Sequence, residues 1–303
     1  MCNFGAVEHK KIGISILIPT YNTVCTSFVK TVAEQASKAG IDYEVIVADD
    51  ASPDPSCIEQ NRAIESLPHC TFIVKDANSG AAATRNFLVR MSHYPWLLFL
   101  DSDMQLSDPQ FINRYLSNLS SPVINGGIAI SGDAVKLKSN LRYRYEKAEE
   151  PRHTAEKRQQ NPYQSFRSAN FLIKRETMLQ CPFDERFKRS GYEDVLLGKQ
   201  LCMAHIAITH IDNPLTMTAY EDNDAYVAKI EYSLQTLHRF RAELRGYSRL
   251  LTMAERLHIN IIRCSIRLLQ RCCGSIMRRQ LCSSRPMLTV FKLYRLGYFM
   301  DLQ

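Results

Sequence analysis

Short apolar runs that each stop at a polar loop constrain this chain more than any other feature. Ile14-Ser-Ile-Leu-Ile18 stops at Pro19-Thr20, Tyr43 to Ala48 stops at Asp49-Asp50, and Trp96 to Leu100 stops at Asp101-Ser102-Asp103. Such runs read as central strands ending in loops. Between them the spacing turns helical. Residues 26–39 put Phe28, Val32 and Ala36 on one face and stop at Gly40, residues 56–67 look helical, and residues 80–92 form an Ala-rich helix after Asn78-Ser79-Gly80. Thr71 to Val74 adds a strand. Strands alternating with helices predict an α/β fold with a mostly parallel sheet covered on both faces. In open sheets of this kind the ligand crevice lies at the strand C-termini. Three polar loops, Thr20 to Asn22, Asp49 to Ser52 and Asp101 to Asp103, converge there.

The second half reads less regularly. Residues 123–133 suggest a strand pair around Gly126-Gly127, and residues 136–162 a helix plus a mobile loop over the site. Phe171 to Lys174 reads as a strand and Glu176 to Gln180 as a short helix. Gly191-Tyr-Glu-Asp194 opens a helix running to about Ala204, and residues 226–270 are mostly helical. A length of 303 residues and 45% hydrophobic content exclude wholesale disorder and suit two units. The expected division is 1–225 for a ligand-binding domain and 226–303 for a basic, mainly helical region.

Asp101-Ser-Asp103 follows a buried strand. Two carboxylates so placed can hold a divalent cation against a diphosphate, and hard oxygen ligands suit Mg²⁺ or Mn²⁺. The competing reading is a solvated acidic loop or a pair of helix-capping aspartates.

With the other motifs the chain resembles a family-2 glycosyltransferase of the GT-A fold. The resemblance rests on Ile18-Pro-Thr-Tyr-Asn22, Val47-Ala-Asp-Asp-Ala-Ser52, Asn78-Ser-Gly80 with Arg85-Asn86, Asp101-Ser-Asp103 and Gly191-Tyr-Glu-Asp194, in the family's order, over about residues 12–225. It implies an inverting enzyme that transfers a hexosyl or N-acetylhexosaminyl group from a nucleotide-sugar donor. Pro19, Thr20 and Tyr21 would line base and ribose. Asp50 would accept from the base imide, which suits uracil and hence a UDP-sugar. Asn78 and Gly80 would let the backbone approach the nucleotide, with Arg85 near it. Asp101 and Ser102 would face ribose or sugar, and Asp103 would ligate the metal. Asp194 would be the catalytic base, with Glu193 orienting the acceptor, and Arg167, Ser168 and Asn170 are candidate acceptor contacts. The structural alternatives are a turn-forming role for one of Asp49 and Asp50, a surface position for Arg85, and a helix N-terminal preference for Glu193 and Asp194.

One departure concerns the metal. Relatives often carry a histidine just after the Asn-Pro pair, but Asn213-Pro214 is followed here by Leu-Thr-Met217. His210 reads as a strand residue, which leaves Asp103 and the diphosphate to hold the ion.

From Arg245 to the end, eleven Lys or Arg face only Glu255 and Asp301, an excess of nine positive charges. Arg263, Arg267 and Arg271 share one helical face and Ile262, Ile266 and Leu269 another. This basic amphipathic helix suits an anionic membrane surface and thus a glycan or lipid-linked glycan acceptor, as in bacterial polysaccharide assembly. The alternative is a helix that packs its apolar face on the domain. No nucleic-acid module or stacking platform is visible. The ten cysteines form no CxxC pair, and Cys272-Cys273 read as buried or idle thiols. Met1 to Lys11 shows no apolar leader, so the expectation is cytoplasmic, peripheral on the inner face of the membrane. Two other function classes remain open: a non-catalytic membrane-associated protein with a degenerate domain, and a sugar-phosphate nucleotidyltransferase. The latter would want Gly and Lys in the first loop, where Pro19-Thr-Tyr-Asn22 stands.

Overall fold

A computed structural model describes residues 12–188, 191–257 and 260–302. In chain order its elements begin with β1 (Gly13–Thr20), α1 (Thr26–Lys38), β2 (Asp42–Asp49), α2 (Pro55–Asn61), β3 (Cys70–Val74), α3 (Ala81–Met91), β4 (Trp96–Leu100) and β5 (Met104–Gln105). There follow α4 (Phe111–Leu116), β6 (Val123–Asn125), β7 (Ile128–Ile130), α5 (Leu141–Glu149), α6 (Ala155–Gln159), β8 (Asn170–Lys174), α7 (Arg175–Gln180) and α8 (Glu193–Met203). The chain closes with β9 (Ile208–His210), β10 (Leu215–Met217), α9 (Asn223–Arg239), α10 (Arg241–Leu244), α11 (Arg249–Arg256), α12 (Asn260–Leu281) and α13 (Leu288–Asp301).

Seven strands form one sheet in the order β3-β2-β1-β4-β8-β6-β9. All run parallel except β8, which is antiparallel to both β4 and β6. Alternate side chains of each strand feed opposite faces, and each face owns a core. Leu17, Ile46, Leu97, Phe99, Phe171 and Ile173 point to one side. Ile16, Ile18, Val45, Val47, Leu98 and Leu172 point to the other, against Phe28, Val29 and Val32 of α1. Phe99 stacks on Phe171 at 4.7 Å between centroids, a pairing worth about 0.5–1.5 kcal/mol beyond its burial. Leu97 to Leu100 are fully buried, as a strand covered on both faces requires. The mostly parallel sheet expected from the apolar runs is thus present.

Two details differ from the sequence reading. The two strands around Gly126-Gly127 do not pair with each other. β6 joins the large sheet, while β7 pairs with β10 in a small sheet of order β5-β10-β7. The left-handed Gly127 (φ +86) turns the chain between them. Residues 136–162 hold the expected helix, α5, but the stretch read as a mobile loop carries the short helix α6. Asn140 caps α5 by accepting from the Tyr143 amide at 2.8 Å, and buried Arg158 of α6 donates to the Asn125, Gly126 and Ile211 carbonyls. The nine described cysteines are all unpaired, and Cys272 is exposed.

The C-terminal helices are built onto the sheet. Leu234, Leu237, Phe240, Leu244, Leu251, Phe299 and Met300 belong to the same core as Phe99 and Phe171. Along α12, Ile266 packs on that core, Arg267 donates to the Met300 carbonyl, and Arg271 pairs with Asp301. Ile261, Leu268 and Ile276 of the same helix stay exposed. Among the described residues no helix is long and apolar enough to cross a membrane.

Candidate functional site

The C-terminal ends of β1, β2 and β4 open into a cleft of about 620 Å³. Pro19, Thr20 and Tyr21 line it from the first strand, Asp50 from the second, and Asp101, Ser102 and Asp103 from the fourth. Asn78, Gly80 and Arg85 complete the wall from the loop before α3 and the helix itself. Every residue expected to bind the donor therefore faces one space, because parallel strands deliver their following loops to one edge of the sheet.

Asp49 and Asp50 divide their labour. Asp49 is fully buried and accepts from the Ser52 amide at 2.7 Å and the Ser52 hydroxyl at 2.6 Å. It closes the turn in which Ala51 holds a left-handed φ of 57°. Asp50 ties two loops together. It accepts from Lys75 Nζ at 2.6 Å, the Ser79 amide at 3.0 Å and the Gly80 amide at 2.8 Å. These donors outweigh the cost of burial and hold its carboxyl below the usual range. The Ser79 hydroxyl is a fourth donor at 3.2 Å; three of the four fall on Oδ1 and only the Gly80 amide on Oδ2, which keeps room for one more hydrogen bond. Gly80 has no substitute here: its φ is +89°, and an added Cβ would lie 2.2 Å from the Lys188 carbonyl oxygen. Gly80→Ala is expected to cost about 2–4 kcal/mol, combining backbone strain with overpacking. Chemical denaturation checks this, and a loss below about 1 kcal/mol would show that the loop relaxes freely.

Arg85 is not a surface residue. It is buried, donates to Asp101 at 2.8 Å and reaches Glu193 at 3.4 Å, with its guanidinium 5.3 Å from the Phe183 ring. Glu193 also accepts from the Gly191 amide at 2.7 Å. It lines neither cavity, so its carboxylate positions the loop and Arg85. Tyr192 precedes it in a left-handed conformation (φ 69°), and Glu193 and Asp194, consecutive on α8, point about 100° apart. Asp194 opens onto a second cavity of about 460 Å³, with Arg167 on its wall. Burial first, then the neighbouring Glu193 charge, push the Asp194 carboxyl up to about 6.

The remaining candidates sit elsewhere. Ser168 and Asn170 are buried and line neither cavity. Asn170 accepts from the Tyr115 hydroxyl at 2.6 Å and donates to the Gly127 and Asn213 carbonyls, knitting the two sheets together. His210 is a buried strand residue whose ring meets Arg158 at 2.8 Å and the Pro162 carbonyl at 2.9 Å; burial lowers its pKa to about 4. Met217 is buried in β10, with Met104 as its register partner. Sequence reasoning missed Lys75 and Lys188. Lys75 directly follows β3, the same strand-end signal that exposed the other loops. Lys188 lines the cleft after Phe187, which stacks on Phe240 at 4.1 Å, and nothing local in the sequence announces it.

A sequence model of Glycosyl transferase family 2 matches residues 15–183, more than half of the chain and the whole cleft except Lys188. The chain belongs to glycosyl transferase family 2. Its curated family relatives are long. A chondroitin synthase of Escherichia coli is 33% identical over 121 residues, 40% of this chain and 17% of that one. A hyaluronan synthase of Pasteurella multocida is 25% identical over 230 residues, 64% of this chain and 23% of that one. An uncharacterized glycosyltransferase of Haemophilus influenzae is 37% identical over 92 residues, 30% of this chain and 29% of that one. This chain thus spans less than a third of the length of these relatives. Among solved structures, the mannosyltransferase PcManGT from Pyrobaculum calidifontis shares the fold at TM-score 0.56 and 17% identity, over 95% of this chain and 84% of that one. S. aureus TarS 1-349 does so at TM-score 0.51 and 15% identity, over 94% and 90%. The likeness of fold to these two structures therefore covers the C-terminal helices as well as the sheet.

Proposed function

We propose that this protein is an inverting glycosyltransferase that moves a sugar from a nucleoside diphosphate sugar, of the UDP kind, to a hydroxyl of a glycan or lipid-linked glycan. One observation carries the reading: Asp194 lines a second cavity, while its chain neighbour Glu193 pairs with Arg85, which lines the nucleotide cleft. A donor in the cleft and an acceptor in the cavity would meet beside that pair. Asp194 would take the acceptor hydroxyl proton as the oxygen bonds to the anomeric carbon. The bond from that carbon to the diphosphate breaks on the far side, its electron pair leaves with the diphosphate, and the configuration inverts. A carboxyl raised toward neutrality is a better base for an alcohol than an ordinary one.

The leaving diphosphate needs positive charge. Lys188 and Arg85 line the cleft. Asp103 is exposed there and makes no hydrogen bond or ion pair to another side chain among the described residues, and Asp101 spends one oxygen on Arg85. These free carboxylate oxygens fit a hard divalent cation, whereas the buried thioether of Met217 does not. No cluster of three or more His, Cys, Asp or Glu side chains able to hold a metal occurs among the described residues, so diphosphate and water would complete the shell around Asp103. A bound Mg²⁺ or Mn²⁺ would neutralise charge developing on the diphosphate. PcManGT was solved with GDP-Man and Mn²⁺, which supports such a cofactor.

The test is nucleotide release from a panel of UDP- and GDP-sugars, with and without Mn²⁺, alongside donor-induced thermal shifts. One donor should be turned over in a metal-dependent way, and Asp103→Ala should lower that release by about 100-fold. At 100 times Kd the donor should stabilise the fold by about 2.7 kcal/mol. If no donor is released and none shifts the melting temperature, the transferase reading is wrong.

A further inference from the structure

The second cavity is strongly basic, and its charges are unevenly satisfied. Arg142, Arg167, Lys229, Arg249 and Arg295 line it, against Glu146, Glu149 and Asp194. Glu149 is already neutralised by Arg152 at 3.0 Å and Lys292 at 3.1 Å, neither of which lines the cavity. Glu146 stands 4.0 Å from Arg167. Glu221 serves both Arg142 and Lys229. Arg249 and Arg295 are left with no carboxylate partner among the described residues.

Arg295 is the telling case. It is mostly buried, donates to the Tyr145 hydroxyl at 2.9 Å, and packs against the Tyr145 and Phe291 rings at 5.5 and 5.4 Å. Its Nε is buried without a hydrogen-bond partner. A guanidinium stays charged at any physiological pH, so burial without an anion is unfavourable unless an anion arrives. Ring faces relieve part of that cost, but they supply no acceptor oxygens. His153, on the same wall, responds to this field. Burial first, then Arg167 and Arg249, lower its pKa to about 4.

We propose that the second cavity selects an acceptor carrying a negative charge, a carboxylate or a phosphate, and that Arg295 and Arg249 receive it. This rests on reading the cavity as the acceptor side of Asp194. The planar guanidiniums match both anions with paired N–H donors. They also offset the repulsion between an anionic acceptor and the Asp194 carboxylate. The cavity owes this preference to α9, α11 and α13, which supply Lys229, Arg249 and Arg295 from outside the segment matched by the family.

Calorimetric titration in the presence of UDP tests it with three probes: a glucuronate-terminated tetrasaccharide, a glycerol phosphate oligomer and neutral chitotetraose. At least one anionic probe should bind about 10-fold tighter than chitotetraose, and which one binds tells carboxylate from phosphate. Arg249→Ala, at an exposed position, should remove most of that advantage, and Arg295→Gln should do so more completely; UDP affinity in the same samples reports that the fold is intact. Equal binding of charged and neutral probes, a preference that survives Arg249→Ala, or no binding of either anionic probe while UDP still binds overturns the proposal. Failure of UDP itself to bind would instead overturn the transferase reading on which it stands.

Discussion

Asp194→Asn should lower transfer by about 10³-fold or more and yet raise the melting temperature. The rate loss follows from removing a general base, whose contribution is typically 10²–10⁴-fold. The stability gain follows from linkage. The carboxyl rises to about 6 in the folded chain from an unperturbed 3.8, because it is buried and stands beside Glu193. Between those values the folded state holds a proton that the unfolded state has lost, so stability falls as pH rises from about 4 to about 6 and stays lowered above. Two pKa units correspond to at most about 3 kcal/mol. Asp194 opens onto solvent in the cavity, so a gain of about 1–2 kcal/mol, a few degrees, is expected for Asn at pH 7. The gain should vanish near pH 4. The wild-type rate should climb with pH through an apparent pKa of about 6 and then level off. A variant that keeps wild-type turnover, or one destabilised at neutral pH, would remove Asp194 from the role of base.

Arg85→Met should be the most destabilising substitution in the cleft. It leaves Asp101 and the buried Glu193 without their shared cation, and breaking a buried pair in this way costs about 3–5 kcal/mol. Adding Glu193→Gln should recover part of it, because the buried charge goes with its partner. Arg85→Lys should recover less than its charge suggests, since one ammonium cannot reproduce the fork that reaches both carboxylates. Thermal melts of the three variants across pH 5–8 decide the matter. A melting temperature within about 2 °C of wild type for Arg85→Met would mean that water compensates both acids.

The central strands were legible because strands buried on both faces must be continuous apolar runs, and their following loops must carry whatever polar chemistry the sheet supports. The cleft inherited that legibility, from Thr20 to Asp103. The short strands did not show it. β5, β9 and β10 have two or three residues each, too few to display a period, and β6 and β7 read as partners because only Gly126 and the left-handed Gly127 separate them. The second cavity was illegible for a different reason. Arg142, Lys229, Arg249 and Arg295 are scattered over 154 positions, and each looks locally like a charge on a solvated helix face. Only packing shows that they meet. The same holds for Arg158, a charged residue in a polar stretch that becomes the anchor of a wall.

The shared core of sheet and C-terminal helices bears on how such proteins diversify. The first cleft is lined entirely between Pro19 and Lys188, whereas the far wall of the second cavity comes after residue 220. With the roles proposed above, drift in the later segment would retarget the enzyme without disturbing the nucleotide side. That freedom is bounded, because Leu234, Leu237, Phe240 and Phe299 plug the sheet itself. A grafted tail inherits a new clientele only if it brings those plugs along.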